Sequence, residues 1–569
     1  LVPRELRFEV RERLDSQGTE VEPLDRQSAQ RVTDQISEAE VESVAVVFLH
    51  SYRNPRHEEE MSKILRLSDG WFVCGSAELS RELREYERSS TTVLNASLMP
   101  LIDAYLTHLE QRLQESDVTA SFFVTQSNGG ALTTRVARQR PVSLALSGPV
   151  AGVTSCVKIG QQLNRSELIG FDMGGTSADV SIISNYEPRL ETQIEVGELP
   201  IRLPSVKVLS VGAGGGSIAS VDEGGALKVG PQSAGADPGP ACYGKGGTKP
   251  TVTDCQLILG RLAQDNLLAG RLQPEVEMAR QAVNEHVAAP LGISTEEAAA
   301  GVIEVANAAM ERAVRGALRD RGDDPRDFSL VAFGGAGPLH AVELARKLSI
   351  GTVIVPPLPG TLSALGLLSA DVRLDFAASD LHRSDDKDLA KDVAAMFEAL
   401  EGEARTELLS DSQLDAEAAR FERSCDIRYL GQAYEVNVPV GPDKIDGTTL
   451  QNVLDRFHEL HERAYAFSSP KELCELVTFR VSAILPLDEP PLMSSTDAEQ
   501  MGATNREVYL PGVGFSPVPI YSRDGLQAGA ELNGAAVIHQ VDTTTLIPTF
   551  AKAIVDENDN LIISIEKDN

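Results

Sequence analysis

The chain has 569 residues, 42% of them hydrophobic and 24% charged, and a formal net charge of −32. That is too long for one hydrophobic core, so about two to four domains are expected. The acidic balance argues against nucleic-acid binding, which needs a basic surface, and against adsorption on anionic membranes.

No apolar run reaches the roughly 18 residues of a membrane-crossing helix, and no signal peptide is visible. The six cysteines (Cys74, Cys156, Cys242, Cys255, Cys425, Cys474) are scattered, with no Cys-x-x-Cys pair. That pattern fits reduced thiols and a cytoplasmic location, not a disulfide framework or a zinc ribbon. An anionic ligand would have to be held by local backbone amides and a metal ion, not by the global field.

Leu1-Val2-Pro3-Arg4 resembles the end of a protease-cleavage tag, and Leu6 to Leu14 then alternates as a strand does. Residues 1–165 read as mixed α/β. Val44 to Leu49 is a short buried-type strand, His57 to Leu67 a helix, Asn95 to Leu113 a long amphipathic helix, and Ala120 to Thr125 a strand. Ser147-Gly148-Pro149 precedes a small-residue helix, Val150 to Gly160.

A second segment, 166–375, opens strand–turn–strand with Leu168 to Asp172, a Gly-Gly turn and Val180 to Ile183. A Gly- and Pro-dense stretch runs from Gly212 to Pro250. Helices dominate from Leu272 to Gly322, the last one stopping at Arg321-Gly322. Phe328 to Phe333 is a strand, Gly334 to Pro338 a turn, and Leu339 to Leu348 a helix. The third segment, 376–569, carries an acidic helical stretch around Asp385 to Leu408. Strands at Cys425 to Val440 and Val477 to Leu485 follow, with the helix Leu450 to Tyr465 between them. Short strands from Val508 onward complete a separate, β-rich C-terminal unit.

Four loops have the composition for chemistry. In Asp172-Met173-Gly174-Gly175-Thr176-Ser177-Ala178-Asp179, the glycines allow positive φ and close approach of a ligand. Successive amides can face phosphate, Thr176 and Ser177 add hydroxyls, and Asp172 and Asp179 suit magnesium, which favours few carboxylates and many waters. It is not a Walker loop, since no Gly-Lys-Ser/Thr is present and a strand follows. A plain hairpin turn is the alternative. The second loop, Val211 to Ile218, concentrates glycines at 212, 214, 215 and 216, either for ligand approach or as a flexible surface loop. The third, Gly334-Gly335-Ala336-Gly337, sits between a strand end and a helix start, where open α/β sheets bind anions. A tight strand–helix turn, with His340 packed in its helix, would look the same.

The fourth loop, Ala236 to Gly244, brings Asp237 and Cys242 near Asp254. A rigid loop with an inert thiol is favoured over a metal or nucleophile role, because the spacing matches no recognised zinc site. His458 and His461 share a helix face but lack a His-Glu-x-x-His motif, which favours a packed face.

Together the loops resemble one family. Ser147 to Val153, Asp172 to Asp179, Val211 to Ala219, Ala234 to Gly247 and Ala332 to Ala341 stand in the order seen in hydantoinase A / oxoprolinase (N-methylhydantoinase A-like) subunits. His50 to Glu58, Arg84 to Thr92 and Gln126 to Gly130 match as well. The resemblance implies an α/β fold of actin, sugar kinase and Hsp70 type: two RNase H-like lobes plus a β-rich C-terminal domain. Segment 1–165 would be the remainder of the N-terminal lobe, 166–375 the second lobe and 376–569 the C-terminal domain. The helices after Gly148 and from Pro359-Gly360-Thr361 to Leu368 would connect the lobes. The family's first Asp-x-Gly-Gly-Thr-type hairpin does not precede Leu1, which implies a chain that opens inside the first lobe. Ala178 stands where the family usually has Ser or Thr.

The resemblance further implies ATP and Mg2+ as cofactors. Asp172 and Asp179 would be the catalytic and metal-holding acids. Gly174, Gly175, Thr176, Ser177, Gly214, Gly215, Gly334, Gly335, Ala336 and Gly337 would be the nucleotide contacts. The implied reaction is ATP-dependent hydrolysis of a small cyclic amide (a hydantoin, oxoproline or related lactam) through phosphorylation of the amide oxygen. It would proceed in an oligomer with a hydantoinase B-type subunit. A ketone carboxylase subunit of acetone or acetophenone type, and a non-catalytic nucleotide-dependent assembly subunit, share the same loops.

Overall fold

The computed structural model describes residues 2–68, 70–264, 272–319, 322–411, 413–487, 504–510 and 513–566. Strands covered on both faces read as continuous apolar runs, and Leu168–Met173, Ser329–Phe333 and Thr352–Val355 are of this kind. They lie side by side and parallel at the centre of a mixed sheet. Among the described residues its order is Val208–Val211, Ala178–Ser184, Leu168–Met173, Ser329–Phe333, Thr352–Val355, Leu561–Ile565, Ala551–Val555 and Glu531–Asn533, with Glu187–Pro188 beside Ala178–Ser184. The helices Thr295–Arg319 and Gly337–Leu348 contribute to one core with these strands, including Val302, Met310, Leu339 and Leu344. A four-stranded sheet (Thr504–Leu510, Gly514–Ser522, Ala536–His539, Thr544–Ile547) joins the same core through Val508, Val518, Val537 and Leu546.

A second sheet runs Val436–Val440, Arg420–Tyr429, Cys474–Leu485, Val372–Arg383, Ala131–Thr133 and Phe123–Thr125. Helices Leu389–Leu409 and Gly447–Tyr465 bury Phe397, Leu400, Val453 and Phe457 against it. The parallel pair Ser43–Val46 and Phe72–Gly75 has its own core with helices Arg26–Glu38 and Arg56–Arg66. The helix Glu85–Glu115 is 31 residues long and contains Pro100.

The chain groups into two units, both discontinuous in sequence. One is Leu1–Ser147 with Leu190–Val206 and Ala370–Asp488; the other is Gly148–Arg189 with Lys207–Ser369 and Glu489–Asn569. Beside this division, the sequence-based segments 1–165, 166–375 and 376–569 are contiguous. The C-terminal part is β-rich, but its strands are shared: those from 420 to 485 belong to the first unit, those after 504 to the second.

The expected strand from Leu6 to Leu14 is reduced to Arg13–Leu14, paired with Glu20–Glu22, after a 3-10 turn at Arg4–Leu6. Alternation alone does not supply a ladder partner. The long amphipathic helix begins at Glu85, ten residues before the periodicity is read at Asn95, because its first turns bury Arg88, Ser90, Thr91 and Thr92, which carry no apolar signal. The expected helix stop at Arg321 and the tag-like Leu1 lie outside the described residues. No helix among the described residues is long and apolar enough to cross a membrane.

Candidate functional site

All three glycine-rich loops belong to the second unit. Strands Leu168–Met173 and Ala178–Ser184 pair antiparallel, with Asp172 opposite Asp179 and Met173 opposite Ala178. The turn between them closes through Gly174 N–H to the Ser177 carbonyl at 3.1 Å. Gly174, Gly175 and Thr176 are exposed. The N–H groups of Gly175 and Thr176 donate to no protein acceptor among the described residues. Neither glycine has positive φ, so the sequence-based reason for them is corrected: a Cβ at either would meet nothing within 4 Å, and the space in front of the turn is open.

The second loop braces the first. Gly215 and Gly216 donate their N–H groups to the carbonyls of Gly174 (2.9 Å) and Gly175 (2.6 Å). A Cβ on Gly214 would stand 2.6 Å from the Thr176 carbonyl carbon and the Ser177 nitrogen. The Gly215 carbonyl accepts from both the N–H and the hydroxyl of Thr253, each at 2.8 Å. The third loop leans on the strand end: Gly334 has φ +78°, and a Cβ there would stand 2.3 Å from Asp172 Oδ1. Ala336 N–H donates to the Met173 carbonyl at 2.9 Å.

Asp172 accepts a hydrogen bond from Ser363 at 3.4 Å, and Asp179 a short one from Ser210. Burial, reinforced by the neighbouring charge of Asp179 and opposed by Ser363, pushes the Asp172 carboxyl up to about 6. Burial also raises Asp179, against the Ser210 bond. Two facing carboxylates raised in this way fit a divalent cation held by few protein oxygens and several waters. No group of three or more His, Cys, Asp or Glu residues that could hold a metal occurs among the described residues.

In front of these loops lies a cavity of about 960 Å3, the upper size range for ligand pockets. Gly174, Gly175, Gly215, Gly335 and Ala336 line it. Gly214, Gly334 and Gly337 instead pack against the backbone of the hairpin, where a side chain would not fit. The opposite wall includes Asn505, Arg506, His539 and Asp542, which sequence reasoning did not single out. The Asp542 carboxylate accepts from Gly360 N–H at 2.8 Å, and the Thr543 hydroxyl donates to the Gly335 carbonyl at 3.0 Å. Arg506 Nη2 lies 3.1 Å from His539 Nε2. The weak signal for this wall was the run Asp542-Thr543-Thr544-Thr545, a polar cluster that is mostly buried in the fold.

The remaining candidates have structural roles. Asp254 is fully buried and accepts from the N–H groups of Ala241, Cys242 and Thr251 and from the Thr251 hydroxyl, at 2.7–3.2 Å. It fixes the Pro- and Gly-rich loop. Cys242 beside it is buried, and burial together with Asp254 drives its thiol far above the ordinary value, which makes it inert; Asp237 is exposed. His340 is fully buried between Asn307 (2.7 Å) and Gln256 (3.0 Å), and burial, aided by Arg261, holds it neutral with its pKa lowered to about 3. His461 sits in an aromatic cluster with Tyr429, Phe457 and Phe467, and His458 bonds the Tyr429 hydroxyl at 2.7 Å.

The hydantoinase/oxoprolinase family matches residues 88–376, its N-terminal region residues 1–68 and its C-terminal domain residues 380–563. An uncharacterised protein of Methanocaldococcus jannaschii is 40% identical over 98% of this chain and 82% of its own length. The caprolactamase subunit alpha of Pseudomonas jessenii is 35% identical over 96% of this chain and 80% of its own. The acetophenone carboxylase gamma subunit of Aromatoleum aromaticum is 30% identical over 98% and 78%. The crystal structure of the ATP-dependent caprolactamase from Pseudomonas jessenii superposes with a TM-score of 0.90 at 33% identity, covering 100% of this chain and 83% of that one. The mixed α/β fold with its β-rich C-terminal part is therefore shared with that enzyme, and the chain belongs to the hydantoinase/oxoprolinase family.

Proposed function

We propose that this chain binds ATP in the cavity of the second unit and uses it to open a small cyclic amide. The observation that carries the reading is the convergence of the three glycine-rich loops on that one cavity, with unbonded amides at Gly175 and Thr176. Relatives described as an ATP-dependent caprolactamase and its alpha subunit support it.

A lactam resists water because its nitrogen donates into the carbonyl and is a poor leaving group. In the proposed reaction the amide oxygen attacks the γ-phosphorus of ATP, the β–γ bridging bond breaks and ADP leaves. Water then adds to the activated carbon, inorganic phosphate departs, and the ring C–N bond opens as the nitrogen takes up a proton. Phosphoryl transfer asks the protein mainly for positioning and charge stabilisation. The Gly174-to-Ser177 turn would hold phosphate oxygens with its amides and hydroxyls. The second and third loops, through Gly214, Gly215, Gly334 and Ala336, would keep that turn rigid. Asp172 and Asp179 would hold Mg2+, which supplies neutralisation of phosphate charge. A hydantoinase B-type partner subunit completes the proposal.

The test is ATP affinity and lactam-stimulated phosphate release in the protein with its partner. Asp172→Ala combined with Gly175→Val is expected to weaken ATP binding at least about tenfold, the loss of one charge-assisted contact plus a steric block. Unchanged affinity overturns the assignment. The acetophenone carboxylase relative supports a second reading, in which the phosphorylated oxygen is that of a ketone enolate. Turnover that requires a ketone and bicarbonate, and ignores lactams, would establish that reading instead.

A further inference from the structure

The first unit contains a second enclosed polar space. A cavity of about 120 Å3 is lined by Arg140, Arg202, Arg373 and Arg480, with apolar wall from Leu132 and Phe376 among others. Three of these arginines are neutralised in place. Arg480 bonds Glu82 at 2.7 Å and Asp426 at 2.7 Å, Arg202 shares Glu82 at 3.1 Å, and Arg373 bonds Asp375 at 3.1 Å.

Arg140 is different. Its guanidinium makes two long hydrogen bonds, both 3.4 Å, to the backbone carbonyls of Asp375 and Glu78, and lies 5.6 Å from the Phe376 ring centroid. It has no ion pair among the described residues. The nearby carboxylates already have other partners: Glu78 bonds Arg66 (2.5 Å), Glu403 bonds Arg81 (2.6 Å) and Glu407 bonds Arg135 (2.8 Å), while Asp375 holds Arg373. Asp375 is further saturated by Asn128 (2.6 Å) and Ser482 (2.5 Å). Burial lowers the Arg140 pKa from its ordinary value, against the longer-range pull of Glu407 and Asp375. A guanidinium stays charged even so, and a desolvated charge without a partner is costly unless something completes it.

We propose that this cavity is a binding site for a small carboxylate-bearing molecule whose carboxylate pairs with Arg140. A guanidinium fork matches a carboxylate in two parallel bonds. A dry cavity of about 150 Å3 accommodates benzene, so this one suits a ring or short chain of about five to seven heavy atoms in all. The apolar wall takes the hydrocarbon part. The proposal does not depend on ATP turnover or on the lactam reading: it concerns equilibrium binding to a different unit of the fold. The carboxylate could belong to a cyclic amide that carries an acid group or to an open-chain acid, and the two are separable by experiment.

Calorimetric titration of the full chain without nucleotide would use three probes: 2-pyrrolidinone-5-carboxylate, neutral 2-pyrrolidinone and open-chain glutarate. At least one carboxylate is expected to bind about tenfold or more tighter than neutral 2-pyrrolidinone, the scale of one charge-assisted bidentate contact. Preference for the cyclic acid over glutarate marks a substrate-like ligand, and the reverse marks a product-like acid. Arg140→Met is expected to abolish the carboxylate preference, and Arg140→Lys to keep part of it, both with wild-type thermal midpoints. Should Arg140→Met unfold the chain, the Arg140→Lys titration decides alone: an affinity equal to wild type would show that the guanidinium is not the contact. Equal binding of neutral and anionic probes, or no binding of either acid at millimolar concentration, overturns the proposal whatever the fate of the ATP assignment.

Discussion

Glycines that look alike in the sequence do different work at the atomic scale. Gly334 has φ +78°, and a Cβ would stand 2.3 Å from Asp172 Oδ1 and 2.5 Å from the Met173 carbonyl oxygen. Gly174 has no such constraint, and its Cβ direction is empty. Gly334→Ala should therefore lower stability by about 1–3 kcal/mol, from backbone strain and displacement of the hairpin. Gly174→Ala should leave the thermal midpoint almost unchanged while weakening ATP binding, because the new methyl occupies the space in front of the turn. Thermal melts beside nucleotide titrations of the two variants separate the roles, and equal melting points would remove the distinction. That the loops matter was legible, since four Gly-dense motifs with acids and hydroxyls are local signals. Which glycine braces and which lines the cavity was not, because that depends on contacts between loops some 40 and 160 residues apart in the chain (Gly174 with Gly215, Asp172 with Gly334).

Among the elements, the short hairpin Arg13–Leu14 and Glu20–Glu22 is held by an ionisable contact more than by its two-strand ladder. His57, on the helix Arg56–Arg66, is 2% exposed, with Nδ1 2.7 Å from Glu12 and Nε2 3.1 Å from Glu20. Burial disfavours its charge, but the bonds to the two glutamates prevail and raise its pKa above the ordinary value. A pKa raised on folding contributes stability that is complete below the unfolded value of about 6.5 and is lost as pH climbs through the folded value. The gap in thermal midpoint between wild type and His57→Gln should thus be widest in mild acid and close toward alkaline pH. A gap that grows with pH would refute this account. Alternation of polar and apolar residues suggested a long strand here; the actual tie is a histidine 45 residues beyond Glu12, which periodicity has no means of signalling. Where apolar runs and capping residues agree locally, as in Ser329–Phe333 and in Gly447–Tyr465 with Asp446 accepting from Thr448 and Thr449, the reading and the fold coincide closely.

For the whole molecule, the decisive feature is that both units are built from separated stretches of chain. Composition shifts suggested contiguous segments and an independent C-terminal domain, because no local pattern tells a strand which sheet it will join. Leu561–Ile565 in fact pairs antiparallel with Thr352–Val355, and Ala551–Val555 follows it, so the last strands extend the same sheet that presents the Asp172 hairpin. Leu561, Ile563, Ala551, Ala553 and Val555 are at most 4% exposed and belong to the core of that unit. Just upstream, Asp542 and Thr543 bind the Gly360 and Gly335 backbones that stand around the cavity. An independent domain could be removed with the nucleotide site intact. The topology gives the opposite expectation: deletion of residues 551–569 would bare the Thr352–Val355 edge and its apolar face, each buried aliphatic side chain being worth about 1.5–3 kcal/mol, more in sum than the 5–15 kcal/mol by which domains are usually stable. ATP affinity and the protease resistance of the second unit should be lost together in the truncated chain. Ile563→Asp, a buried charge in the central ladder, should reproduce the loss without shortening the chain. Wild-type ATP affinity in either variant would show that the C-terminal strands are dispensable to the site.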